Sequence, residues 1–243
     1  MNLDRSTLNA ALVAVGVALA GALVGRGFAA GRAADRYVSV KGISEREARA
    51  DLALWPLRLV VAGNDLPSAY SRLDGEVRLV RVFLARHAID TAQVELQDFS
   101  VTDAYANQSR TEAVGNRYVI RQTLMVRSTD PPKVLAASQR VGELVEAGVV
   151  LSSGEEYGNG GPTFVFTGLN ALKPQMIAEA TARAREAATQ FANDSHSRLG
   201  GIRQATQGVF EILPRDQAPG IEEESQIAKT VRVVSTVEYF LRD

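Results

Sequence analysis

Few side chains in this sequence are equipped for chemistry, and their spacing decides what they could do. With only two histidines, His87 and His196, one chain cannot build a three-histidine metal site. Cysteine is absent, which excludes disulfides, thiolate nucleophiles and thiolate metal sites together. His196 lies in Asn193-Asp194-Ser195-His196-Ser197, a cluster from which a serine–histidine–acid triad could be drawn. Neighbours on one helix point in different directions, however, and no nucleophile elbow surrounds either serine. The blander reading places His196 at a helix C-terminus, where a cation is favoured, and His87 at the boundary of a buried stripe. Glu222-Glu223-Glu224 could offer oxygens to a hard cation but lacks the ligand spacing of a calcium loop. It reads as a solvated acidic turn. Ser152 to Pro162 is glycine-rich, yet no Gly-Lys-Ser/Thr follows to hold a phosphate, and its two glutamates would repel an anion. A hairpin tip is the simpler reading. No catalytic, cofactor-binding or metal-binding residue is assigned, and the expectation is a non-enzymatic protein.

The elements that would position any site begin with an apolar segment. Residues 10–24 carry no charge, and the stretch extends from Leu8 to Ala30 past a single Arg26. A spanning helix takes about 20 apolar residues and a signal-peptide core about 7–15. Three readings follow: an uncleaved signal anchor, which is preferred; a signal peptide cleaved near Gly27-Phe28-Ala29; or an Ala/Gly-rich helix buried in a soluble body, which would need partners on all sides. Residues 1–34 form this segment, with membrane contact through residues 8–30. Arginines flank it unevenly: Arg5 precedes it, and Arg26, Arg32 and Arg36 follow. Counted alone, they favour a cytoplasmic C-terminal domain. Gly21 and Gly25 make a GxxxG pattern, which so small-residue-rich a stretch produces easily.

The remainder, residues 35–243, alternates strands and helices. A short strand starts at Tyr37 and ends at Gly42, where glycine allows a positive-φ turn. Leu52–Ala62 is a longer apolar strand whose internal Pro56 implies an edge or a bulge. A helix follows with Pro67 in its first turn and the stripe Leu66, Tyr70, Leu73, Val77, Val80 and Leu84. The strand beginning at Val94 loses phase at Asp98, which implies a bulge. A polar turn over 104–115 leads to a strand at Tyr118–Val126. Asp130 then caps a helix with Val134, Leu135, Val141, Leu144 and Val145 inward, stopped by Gly148. Val149–Ser152 and Thr163–Thr167 read as strands. Asn170 caps a long helix with inner face Ile177, Ala180, Ala184, Ala187 and Phe191, ending by Gly200-Gly201. Val209–Leu213 and the alternating Val231–Leu241 are the last strands. Residues 51–127 and 163–241 thus share the order strand, helix, strand, strand. That pattern predicts an α+β fold: antiparallel sheets with helices on one face, two β-α-β-β units, and an N-terminal transmembrane helix.

Hydrophobic residues make up 46% and charged residues 23% of the 243, so most of the chain can bury a core. The 27 basic and 28 acidic residues leave a net charge of -1 with no basic stripe, and no nucleic-acid partner is expected.

Asp35-Arg36-Tyr37-Val38-Ser39-Val40-Lys41-Gly42, then Glu45-Arg46-Glu47 and Ala50-Asp51-Leu52-Ala53-Leu54-Trp55-Pro56, resembles the SIMPL-domain family over about residues 36–243. The family includes a bacterial oxidative stress defence protein and a periplasmic immunogenic protein. The resemblance implies an exported domain behind a cleaved signal or an anchor, and homo-oligomers in some members. It brings no catalytic residues. It outweighs the arginine count and places the domain in the periplasm, either anchored by a single pass in the inner membrane or released after cleavage. The expected function is a self-assembling scaffold or ring linked to envelope stress; the alternative is a periplasmic binding module for a small ligand or a partner protein.

Overall fold

The computed structural model describes residues 5–33, 36–106, 115–152 and 160–242, without the side chains of residues 5–8, 10–11 and 28–33. Asp35, the polar turn from 107 to 114 and loop residues 153–159 lie outside this description. Helix α1 spans Arg5–Ala33. Among the described residues no helix is long and apolar enough to cross a membrane. The described α1 side chains, Asn9 and residues 12–27, are all exposed. The reading of this segment as a packed core helix therefore fails: nothing lies within 4 Å of where a Cβ would sit on Gly16, Gly21 or Gly25.

The rest is α+β with antiparallel sheets. It divides into two compact units. One comprises Glu45–Lys173 and Glu211–Arg232. Its sheet is ordered β3-β4-β2-β5, from β2 (Leu52–Gly63), β3 (Val94–Asp103), β4 (Tyr118–Ser128) and β5 (Thr163–Val165). Helices α2 (Leu66–Arg86), α3 (Pro131–Ser138) and α4 (Gly142–Glu146) supply Leu73, Val80, Phe83, Val134 and Leu144 to one core with Trp55, Leu57, Leu59 and Leu124.

Local chemistry explains these elements. Asp65 caps α2, accepting from the Ser68 amide at 3.0 Å, with Pro67 in the first turn. The α2 stripe is rotated from the predicted one. Ala69 and Phe83 are buried while Tyr70 and Leu66 are exposed, so the smallest residue faces the sheet where the helix starts. Asp130 caps α3, but the expected single helix is broken in two, and Val145 points outward. Gly148 ends it with φ 87, the left-handed conformation that favours glycine.

The other unit comprises Met1–Ser44, Pro174–Phe210 and Val233–Asp243. Its sheet is ordered β1-β8-β6, from β1 (Tyr37–Arg49), β6 (Arg198–Gln207) and β8 (Ala228–Arg242), while β7 (Glu211–Pro214) pairs with the start of β8. The alternating terminal strand is therefore interior, with neighbours on both sides. Helix α5 (Leu169–Asp194) buries Met176, Ala180, Ala184, Ala188 and Ala192. That is a strict i, i+4 row, and the predicted Ala187 and Phe191 face outward.

Gly42 accounts for the row. It does not end a strand and its φ is not positive; it lies inside β1. A Cβ there would collide with the Ala180 carbonyl of α5. Glycine on the strand and alanines on the helix let the two backbones touch. The predicted order of strand, helix, strand, strand holds over residues 51–127, but the second stretch carries an extra strand, β6, between α5 and β7, and β5 pairs with β2 and so joins the first sheet, not the second.

Candidate functional site

Side chains of β2 and β4 alternate between two faces. Trp55 opposes Val126, Leu57 opposes Leu124 and Val61 opposes Ile120, all in the helix-covered core. Pro56, Arg58 and Val60 on β2 share the opposite face with Arg121, Thr123 and Met125 on β4.

Pro56 shapes the edge of this face. The Val60 amide donates to the Val150 carbonyl at 3.2 Å, and the Ser152 amide donates to the Arg58 carbonyl at 2.8 Å. Further along, Leu52–Leu54 pair with β5. The even-numbered residues of β2 thus turn their backbone groups toward this edge, and Pro56 has no N–H to give. The described residues 160–162 beside Pro56 form no strand, so pairing along this edge is interrupted there among the described residues. The expectation of an edge or bulge at Pro56 is met on this side only, because β4 pairs with the other side in register.

Arg58 lines three concavities at the interruption, of about 350, 470 and 650 Å³. The first lies on the open face and also takes in Asp98, Ser100, Arg121, Thr123 and Ser152. The predicted bulge in β3 forms its rim. Pairing with β4 shifts between Gln97 and Ser100, and Asp98 adopts φ 52. The buried Gln122 holds the bulge open by donating from Nε2 to the Gln97 carbonyl at 2.7 Å. Phe99 turns out of the strand to meet Tyr70 edge-on at 6.3 Å.

Two carboxyls near this sheet show how the environment tunes charge. Burial pushes the Glu76 carboxyl above its ordinary value, against an N–H bond from Val150 and the charge of Arg72. The Asp103 carboxyl is lowered, chiefly by hydrogen bonds from Arg117, whose Nη2 lies 3.0 Å from Oδ2.

The residues singled out from the sequence are not brought together. The His87 ring meets Phe83 with centroids 4.5 Å apart and planes tilted by 59°, and its Nε2 lies 3.4 Å from Glu143 Oε2, tying α2 to α4. His196 has φ 57 and follows the end of α5. Ser195 Oγ donates to the Ala192 carbonyl and Ser197 Oγ to the Ser195 carbonyl, so neither serine contacts the imidazole. The acidic turn departs from its expected role. Glu223 is not simply solvated: its carboxylate pairs at 2.5 Å with Nζ of the fully buried Lys229, which also donates to the Glu223 carbonyl. Of the Ser152–Pro162 loop only its ends, Ser152 and 160–162, are described, and they line the concavities beside Arg58. Among the described residues no group of three His, Asp or Glu could hold a metal ion.

Sequence reasoning passed over Arg58, Arg121 and Asp98. No motif joins them, because only the register of β2, β3 and β4 places them around one hollow. The bulge signal at Asp98 was the visible clue. No curated protein matches the chain. A family model described as "Protein of unknown function (DUF541)" matches residues 38–239, covering both sheets and the residues around the open face, and the chain belongs to that family, SIMPL.

Proposed function

We propose that this SIMPL protein is a non-enzymatic, membrane-anchored component of the bacterial envelope, held in lipid by residues 8–30, with its folded part on the periplasmic side. One observation carries the reading. Leu12, Val13, Val15, Val17, Leu19, Leu23 and Val24 of α1 are all more than half exposed. Burying an aliphatic side chain of this size is worth about 1.5–3 kcal/mol, so leaving the set in water costs on the order of 10 kcal/mol. That is comparable to the whole stability of a folded domain. The helix has apolar residues on every side, which suits lipid better than a sheet face. The test is alkaline extraction of membranes containing the intact chain. Retention in the pellet is expected; release of the full-length chain into the wash would end the reading.

Self-assembly of the domain follows as part of this proposal. Its support is two ten-residue strands at sheet ends, β3 and β6, that are exposed over most of their length. Unpaired edges are templates for another chain. The interior position of β8 removes that strand as the joining element. Light scattering of the detergent-solubilised protein should give a multiple of the chain mass, and a monomer at micromolar concentration would count against assembly.

A second reading, a binding module for a small ligand, is favoured by the hollow on the open face beside Arg58. A thermal-shift screen of metabolites checks it, with no stabilisation by any compound as the adverse result.

A further inference from the structure

The open-face hollow is chemically biased. Arg58 opposes Thr123 and Arg121 opposes Val60 on the same pair of strands. The two arginines are diagonal neighbours on one face, a relation that puts Cβ atoms within about 7–8 Å. Both side chains line the hollow, and each guanidinium carries planar donors suited to acidic oxygens. Arg121 is exposed and has no hydrogen-bond or ion-pair partner among the described residues. The hydroxyls of Ser100, Thr123 and Ser152 line the same hollow. So does Asp98, held left-handed at the bulge that Gln122 braces. A volume of about 350 Å³ sits at the lower end of the range of small-molecule clefts.

We propose that this hollow binds a small organic anion, a phosphate monoester or a carboxylate, whose acidic oxygens lie between Arg58 and Arg121 and whose amine or hydroxyl donor meets Asp98. The proposal rests on the second, ligand-binding reading above and gives it a substrate class. Planar guanidiniums match the paired oxygens of both groups, and hydroxyls complete the set without adding charge. Asp98 selects against a bare anion, because a carboxylate at the rim repels a ligand that offers it no donor.

Calorimetric titration of the full chain in detergent tests this with four probes: phosphoethanolamine, glycerol 3-phosphate, inorganic phosphate and ethanolamine. The first two are expected to bind, inorganic phosphate more weakly, and ethanolamine not at all. Arg121→Gln and Arg58→Gln should each weaken phosphoethanolamine binding roughly tenfold or more, the cost of losing one charged hydrogen-bonding group. Asp98→Asn should narrow its advantage over inorganic phosphate. Arg127→Gln, on the same face of β4 but opposite Leu54, should change nothing. Arg121 is exposed, so its variant should melt as the parent does, which separates lost binding from lost folding. Unchanged affinity in both arginine variants overturns the anion site. If ethanolamine alone binds and shifts amide resonances of β2 and β4, the ligand reading survives and the anion proposal falls. If no probe binds up to roughly 10 mM, the proposal is overturned, and a null screen of neutral metabolites as well removes the ligand reading with it.

Discussion

Single residues in this protein matter most where backbone or charge leaves no alternative. Gly42 is one: its neighbour is the Ala180 carbonyl, which cannot rotate away as a side chain would. Gly42→Ala should therefore cost about 3 kcal/mol in denaturant unfolding, the upper end of ordinary overpacking; a loss below about 0.5 kcal/mol would mean that β1 and α5 slide apart freely. Lys229 is another. It is fully buried, whereas the Glu223 side chain that pairs with it keeps 28% of its exposure. Removing the acid strands a charge in the interior, at about 3–5 kcal/mol, while removing the lysine leaves a carboxylate that water can reach. Glu223→Gln should thus destabilise more than Lys229→Met, and the reverse order of unfolding midpoints would refute the argument. Glu76 sets a pH dependence. Its carboxyl is raised from 4.5 by burial, so its protonated form fits the fold better than its ionised form. The penalty is absent below pH 4.5 and grows as pH rises through the raised folded value. Glu76→Gln should accordingly lift the melting temperature at pH 7 but not at pH 4, and an equal gain at both would point to packing instead.

Elements differ in how firmly they hold. α1 has only exposed side chains among those described, whereas the chain is tied into the fold from Arg36, whose carbonyl accepts from the Leu241 amide at 2.8 Å. Removing residues 1–35 should leave the domain's melting temperature within experimental error. Removing residues 1–42 takes the first half of β1 away from β8 and should lower the melting temperature by several degrees, about 4 °C or more for each kcal/mol lost. Equal effects of the two truncations would show that β1 contributes little. The same contrast governs what could be read from sequence. β2, α2 and β4 were legible because one face of each is buried and writes a period into the residues. The bulge at Asp98 broke that period visibly. β6 was not legible: Arg198-Leu199-Gly200-Gly201-Ile202-Arg203 lies at a sheet end with most positions exposed, so burial imposes no alternation. β1 was cut short because Gly42 looks like a stop, when its absent side chain makes room for a helix. Arg58, Arg121 and Asp98 were illegible as a group for a further reason, since strand register is a long-range property that no local spacing records.

For the molecule as a whole, the proposed anchoring turns on which side of a membrane the folded part would occupy, and charge arithmetic sets the terms. The net charge of -1 gives the chain no bulk attraction to an anionic surface. Orientation therefore depends on residues near the span. Arg5 and the amino terminus stand before it; Arg26, Arg32 and Arg36 stand after it. Among these five groups the margin is a single charge, but Lys41, Arg46 and Arg49 also lie within about 20 residues of Ala30, while Arg26 lies within the apolar stretch, where its long stem can reach the interface from inside the span. In the proposed topology this bias is set against the export that the resemblance to the SIMPL family implies. A phosphatase that is active only in the periplasm, fused after Asp243, should be active, and a fluorescent protein that matures only in the cytoplasm should stay dark. Two lysines inserted after Met1 would shift the count toward the leading side and should increase the phosphatase signal or leave it unchanged. A bright fluorescent fusion with an inactive phosphatase fusion would put the domain in the cytoplasm, show that the arginines decide, and remove the envelope from the proposed function while leaving the anion site to be judged by its own titrations.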